Sequence, residues 1–106
     1  MSVPLRLTYR STGGQERATW ATSRSANTQF EYFVDPGQDL AREPAGATLM
    51  SFRQYHEIDP GASSTGHRIY HYETTCERVS VKAVSDLGSR VLVQLHPEGA
   101  VANKSW

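Results

Sequence analysis

The most informative segment of this sequence runs from Val79 to His96 and reads VSVKAVSDLGSRVLVQLH. Apolar residues alternate with polar ones on both sides of Asp86-Leu87-Gly88, which is typical of two half-buried strands joined by a turn. A three-residue loop with Gly88 in the left-handed conformation suits this spacing. The resulting pairs are Ala83 with Val91, Val81 with Val93, and Val79 with Leu95. A two-residue loop would mix apolar and polar residues on each face, so we predict a β-hairpin with the three-residue loop.

A second hairpin is indicated near the N-terminus. Residues 3–11 read VPLRLTYRS and alternate in the same way, and Gly13-Gly14 can adopt the positive φ angles of a two-residue turn. The register that follows sets Tyr9 beside Ala18 and Leu7 beside Trp20. Because directly opposite residues share a face of the sheet, we expect Trp20 to lie in the core.

Between the hairpins, short segments rich in Thr, Val, Tyr and Phe are separated by Pro and Gly turn signals. Residues 28–34 and 67–74 alternate as strands do. Residues 48–58 fit either a strand or two helical turns, and we favour the strand. Residues 35–47 are expected to form a long loop with one helical turn at residues 38–42.

These segments together predict the fold class. We expect an all-β protein in which residues 1–106 form a single domain. Its architecture is expected to be a compact sandwich or small barrel of about six or seven mostly antiparallel strands.

Length, charge and cysteine content narrow the class of protein further. The 106 residues suffice for one domain, and eleven basic residues balance eleven acidic ones. A net charge of zero argues against a polybasic nucleic-acid tail, a basic membrane-binding surface and an acidic disordered chain. No signal peptide or membrane-spanning run is visible, and the single cysteine, Cys76, excludes an internal disulfide. We therefore expect a cytoplasmic protein without a membrane partner.

Residue types that perform catalysis or bind metals form no strong motif. His71 and Glu73 share a face of one strand and could hold a metal if another strand supplied a third ligand such as His56. Histidines on a sheet surface explain the same residues without a metal, so we expect neither metal nor cofactor. Cys76 lies next to the carboxylate of Glu77 rather than a cation, which disfavours an activated thiolate. We expect no catalytic residues, and we favour a protein that is not an enzyme.

Charge is unevenly distributed along the chain. Residues 1–24 carry four arginines and one acidic residue, whereas residues 25–60 carry two arginines and six acidic residues. In the hairpin register above, Arg10 lies opposite Arg17, and such like-charge pairs are easier to accommodate when an acidic partner covers them. The predicted binding surface comprises Arg6, Arg10, Arg17 and Arg24. The acidic partner could be the chain's own middle segment, a second copy in a homo-oligomer, another protein or nucleic acid.

The function predicted from these features is non-catalytic binding, through protein–protein recognition or self-assembly. A domain of this size fits an accessory, inhibitor or assembly subunit, including a viral one. One alternative is a small barrel with a ligand or metal pocket around His71 and Glu73. Another is a barrel that binds single-stranded nucleic acid on aromatic platforms. The candidate platforms are Tyr32, Phe33, Tyr55, Tyr70 and Tyr72.

Overall fold

Six antiparallel strands close into a barrel in the computed structural model of the protein, which describes residues 4–25, 29–58 and 70–105. The strands are β1 (Pro4–Ser11), β2 (Glu16–Ser23), β3 (Glu31–Val34), β4 (Thr48–Ile58), β5 (Tyr70–Asp86) and β6 (Val91–Ser105). Their order around the barrel is β1-β2-β3-β6-β5-β4, and β4 pairs with β1 to close it. The predicted all-β fold is confirmed, in its barrel form.

The β5–β6 hairpin forms as predicted, but its loop and register differ. The Leu87 N–H donates to the carbonyl of Arg90 at 2.9 Å, and Gly88 has a φ of +90°. The loop is therefore a two-residue turn with glycine at its first central position, the type II′ arrangement. A β-bulge between Val81 and Ala83 then shifts the register by one residue. The observed pairs include Val84 with Val93 and Val81 with Leu95. The three-residue loop was wrong because the bulge keeps the valines on the inner face.

The β1–β2 hairpin is also shifted by one residue from the predicted register. The Gly14 N–H donates to the Ser11 carbonyl at 2.8 Å, and Gly13 has a φ of +74°. The tight turn therefore spans residues 11–14, with a glycine at the third position, where a type II turn requires a positive φ.

This shift changes which side chains of β1 and β2 face outwards. Trp20 lies opposite Arg6 on the outer face and is 61% exposed, so its predicted place in the core was wrong. Arg10 lies opposite Glu16 instead of Arg17. The like-charge pair that motivated the predicted arginine surface is therefore absent from this hairpin.

The core fills the barrel with apolar side chains from all six strands. Phe52 lies at its centre, with ring centroids 5.7 Å from Phe30 and 6.3 Å from Tyr32, within the usual range for aromatic pairs. The alternation predicted for residues 28–34 is confirmed, because Phe30, Tyr32 and Val34 are all buried. The other buried apolar residues are Leu5, Leu7, Tyr9, Ala21, Leu40, Leu49, Cys76, Val79, Val81, Val91, Val93 and Leu95.

A 3₁₀ turn, Asp39–Arg42, packs against the barrel and matches the helical turn predicted at residues 38–42. Leu40 is fully buried, and its N–H donates to Thr19 Oγ1 at 3.3 Å. Residues 48–58 form a strand, as favoured. The predicted strand at residues 67–74 lies outside the described residues up to position 69 and belongs to β5 from Tyr70. No helix in the described ranges has the length and apolarity of a membrane span.

Candidate binding surface

A row of side chains crosses the outer face of the barrel, built by the registers of five strands. Trp20 of β2 lies opposite Arg6 of β1, and Arg6 lies opposite Tyr55 of β4. Tyr55 lies opposite Glu73 of β5, which lies opposite Lys104 of β6. Neighbouring strands are about 4.8 Å apart, so the row is roughly 19 Å long. We call its first three members, Trp20, Arg6 and Tyr55, the outer patch.

Trp20 is the most exposed large apolar residue of the outer patch. Its side chain projects from a strand whose inner positions are occupied by the buried Thr19 and Ala21. The backbone of Trp20 is held on its free side, because its N–H donates to Gln38 Oε1 at 3.2 Å. The indole therefore stands on a fixed strand, which reduces the entropy lost when a partner covers it.

Tyr55 is fixed by its neighbours on β5. Its hydroxyl oxygen lies 2.5 Å from His71 Nδ1, and the two ring centroids are 5.9 Å apart. On the same face, Arg53 Nη1 lies 3.7 Å from Glu73 Oε2. Because both contacts join β4 to β5, the polar side of the outer patch is ordered before any partner binds.

The four predicted binding arginines do not form one cluster. Arg17 pairs with Asp39 at 3.5 Å, and Arg24 pairs with Glu31 at 2.8 Å. Both acidic residues belong to the negatively charged middle segment, so this part of the charge imbalance is neutralised within the chain. Hydrogen bonds from Gln94 and then from Arg24 lower the pKa of Glu31.

Arg6 and Arg10 differ from the paired arginines. Within the described part of the chain, neither guanidinium forms an ion pair, although Arg10 lies opposite Glu16. Arg53 and Arg78, by contrast, lie close to Glu73 and to a second carboxylate, that of β6 residue 98. Of the predicted set, Arg6 is the cation that lies between two aromatic side chains.

A shallow groove of about 410 Å³ adjoins the outer patch. It is lined by small side chains that include Thr8, Ser51, Thr75 and Ala100, with Arg53 at its edge. Ser51 has a φ of +53° at the point where β4 bulges against β1. The groove thus lies where the sheet is irregular, and its small residues leave room for a side chain from a partner.

The residues considered for a metal site do not converge. His71 and Glu73 lie on the outer face, whereas His56 lies opposite Tyr72 on the other face, with the rings stacked at 5.3 Å. Burial lowers the pKa of His56, and its Nδ1 atom is buried without a hydrogen-bond partner. No group of three metal-ligating side chains occurs among the described residues.

Cys76 is a core residue. Its side chain lies inside the barrel, and its thiol donates to the carbonyl oxygen of Arg78 at 3.0 Å. A second carbonyl, that of Glu98, lies 3.5 Å from the sulfur. These contacts give the thiol a structural role in the described barrel.

No family model, characterised protein or solved structure matches this chain. The functional interpretation therefore depends on the geometry of the barrel itself. Sequence reasoning missed Trp20 and Tyr55 as surface residues. The available signal was on β2, where Thr19 and Ala21 are small enough to face the bulky inner residues Leu7 and Tyr9 inside a narrow barrel.

Proposed function

We propose that this protein is a non-catalytic binding module that recognises another protein through the outer patch. The observation that carries the proposal is the position of Trp20, 61% exposed and directly opposite an arginine without an ion pair. Tryptophan, tyrosine and arginine dominate the energetics of protein interfaces, and here all three occupy adjacent strands.

The chemistry of the outer patch defines the partner. Arg6 requires a carboxylate, since the described residues supply none, and the indole of Trp20 requires an apolar group beside that carboxylate. The partner is therefore a protein segment in which an acidic residue neighbours an apolar one. The groove beside Thr8 and Ser51 accommodates a further small side chain.

The surroundings of the outer patch favour protein over nucleic acid. Glu16 lies on the outer face opposite Arg10, and Glu73 lies beside Arg53. These carboxylates flank the outer patch on two sides and would repel a phosphodiester backbone. Single-strand binding surfaces instead combine aromatic platforms with a groove that is positively charged along its length.

A peptide selection tests the proposal. A random library of 12-residue peptides is selected on the full chain, and fluorescence polarisation then measures affinity for Trp20→Ala, Arg6→Ala and the control Leu87→Ala. Leu87 is also exposed and apolar, but it lies in the β5–β6 turn. We expect peptides with acidic and apolar residues, weakened about fivefold or more by either patch substitution and unchanged by the control.

Two results would overturn the proposal. The first is a selection in which every recovered peptide binds the Trp20→Ala variant as tightly as the unaltered chain. The second is Trp20-dependent binding of a 12-nucleotide oligo(dT) at low salt, with affinity that falls steeply as salt is added. That outcome would assign the outer patch to nucleic acid.

A further inference from the structure

The distal part of β6 has a neighbouring strand on one side only. β3 pairs with β6 at residues 91–94, and the last main-chain hydrogen bond on that side runs from the Leu95 N–H to the Phe30 carbonyl, at 2.8 Å. Phe30 has a φ of +64°, so β3 starts no earlier than Glu31. Beyond this point β6 continues from His96 to Ser105, paired with β5 throughout. No described residue forms a main-chain hydrogen bond to its other side.

An unpaired strand edge of this length is a template for another strand. Ten residues of β6 extend about 33 Å at the usual rise per residue. Proteins protect such edges with proline and charged residues, and β6 has Pro97 near the start of the edge and Lys104 near its end. The four residues at its centre, 100–103, read AVAN and carry no charge. The centre of the edge is therefore open to pairing.

The sequence of this edge is complementary to itself. If two copies pair in antiparallel orientation about a twofold axis at Val101, Glu98 of each copy lies opposite Lys104 of the other. Ala100 then lies opposite Ala102. Shifting the register by one residue in either direction separates both charge pairs, so the charges select this register.

The side chains also face the correct way for this register. Glu98 lies opposite the exposed Arg78, and Lys104 lies opposite Glu73, which places both on the outer face of the barrel. Val101 lies opposite the buried Cys76 and packs against the core, so it belongs to the inner face. In the paired edges, charges would therefore meet charges outside and the two valines would meet inside.

We infer that the protein forms a homodimer in which the β6 edges of two copies pair antiparallel about Val101. The occupant of the edge is a second copy because its own charge pattern provides the complement. This surface is separate from the outer patch, so the dimer and the proposed partner recognition can fail independently.

Charge reversal gives a test that does not depend on the core. The Glu98→Lys variant alone sets two lysine side chains opposite each other across the interface, because its Lys104 is unchanged, and the Lys104→Glu variant alone sets two carboxylates opposite each other. Each variant should dimerise about tenfold more weakly or worse than the unaltered chain. A 1:1 mixture of the two variants has opposite charges at both positions and should form a heterodimer.

Sedimentation equilibrium of the full chain from micromolar to millimolar concentration measures these species. We expect the unaltered chain to approach twice its 11.8 kDa mass, and the control Lys82→Glu, an exposed lysine of β5 away from the edge, to do the same. Restored association in the mixture supports the inferred register, because a folding defect in one variant would not be repaired by the other. A chain that stays monomeric, single variants that dimerise like the unaltered chain, or a mixture no stronger than its components would overturn the inference.

Discussion

The same substitution at two alanines of β2 separates the observed register from the one the sequence predicted. Ala21 faces the core opposite Leu5 and is 6% exposed, whereas Ala18 is exposed on the outer face. Side chains alternate along a strand, so a slip by one residue would exchange their faces. The orientation of Trp20, and with it the outer patch, depends on this register.

The expected difference in stability is large. In Ala21→Glu a carboxyl group enters the closed barrel, where burial can raise its pKa by 3–5 units, equivalent to about 4–7 kcal/mol at neutral pH. Overpacking adds about 1–3 kcal/mol. This approaches the whole free energy of unfolding of a small domain, about 5–15 kcal/mol. Ala18→Glu projects into solvent and should change stability by less than about 0.5 kcal/mol.

A leucine pair keeps the comparison measurable if Ala21→Glu does not fold. Ala21→Leu should cost about 1–3 kcal/mol through overpacking, which lowers Tm by about 4–24 °C in a domain of this size. Ala18→Leu should leave Tm within about 4 °C of the unaltered chain. Thermal unfolding followed by circular dichroism measures all four variants. If the substitutions at Ala18 proved as damaging as those at Ala21, the observed register and the outward position of Trp20 would be refuted.

Three further predictions address the barrel end, a buried histidine and a turn. Leu40→Ala should lower the free energy of unfolding in urea by about 3–5 kcal/mol because Leu40 is fully buried, while the half-exposed Leu87→Ala should lose less than about 1 kcal/mol; equal losses would exclude Leu40 as a core residue. Burial lowers the pKa of His56, so the unfolded chain takes up a proton first and stability falls as pH drops below about 6.5; His56→Gln should flatten urea midpoints between pH 7 and 5, and an unchanged slope would contradict this. Gly88→Ala should cost about 1–2 kcal/mol in thermal unfolding because φ is +90°, whereas Gly37→Ala, with open space and no positive φ, should not destabilise; similar effects would exclude the type II′ turn.

Alternation of apolar and polar residues predicted the elements of this barrel well. The segment from Val79 to His96 does form a hairpin, residues 48–58 form a strand, and residues 38–42 contain the helical turn. These features are local, because each depends on residues within one strand or one turn. The closure of six strands into a barrel follows from the pairing of β1 with β4, which the sequence does not encode locally.

Registers were less predictable because a bulge changes the phase of alternation without a clear sequence signal. The bulge between Val81 and Ala83 allows a two-residue loop that the alternation alone excludes. On β2 the pattern is ambiguous for another reason, since one face carries Ala18 and Trp20 and the other carries Thr19 and Ala21. Hydrophobicity favours the tryptophan face as the buried one. Space inside a narrow barrel already filled by bulky β1 side chains favours the other.

The short strand β3 leaves two edges of the barrel open, and the chain treats them differently. On β2, β3 covers only residues 21–23, and the rest of that edge is occupied by the segment that follows β3, through contacts from Gln38 and Leu40. On β6, the described residues provide only the Phe30 carbonyl beside Leu95. Since an unpaired edge promotes non-specific strand addition, leaving ten residues uncovered is costly unless something specific occupies them. The uncharged centre of that edge, between oppositely charged residues, is what a twofold strand pairing requires, so the asymmetry between the two edges is itself an argument for assembly through β6.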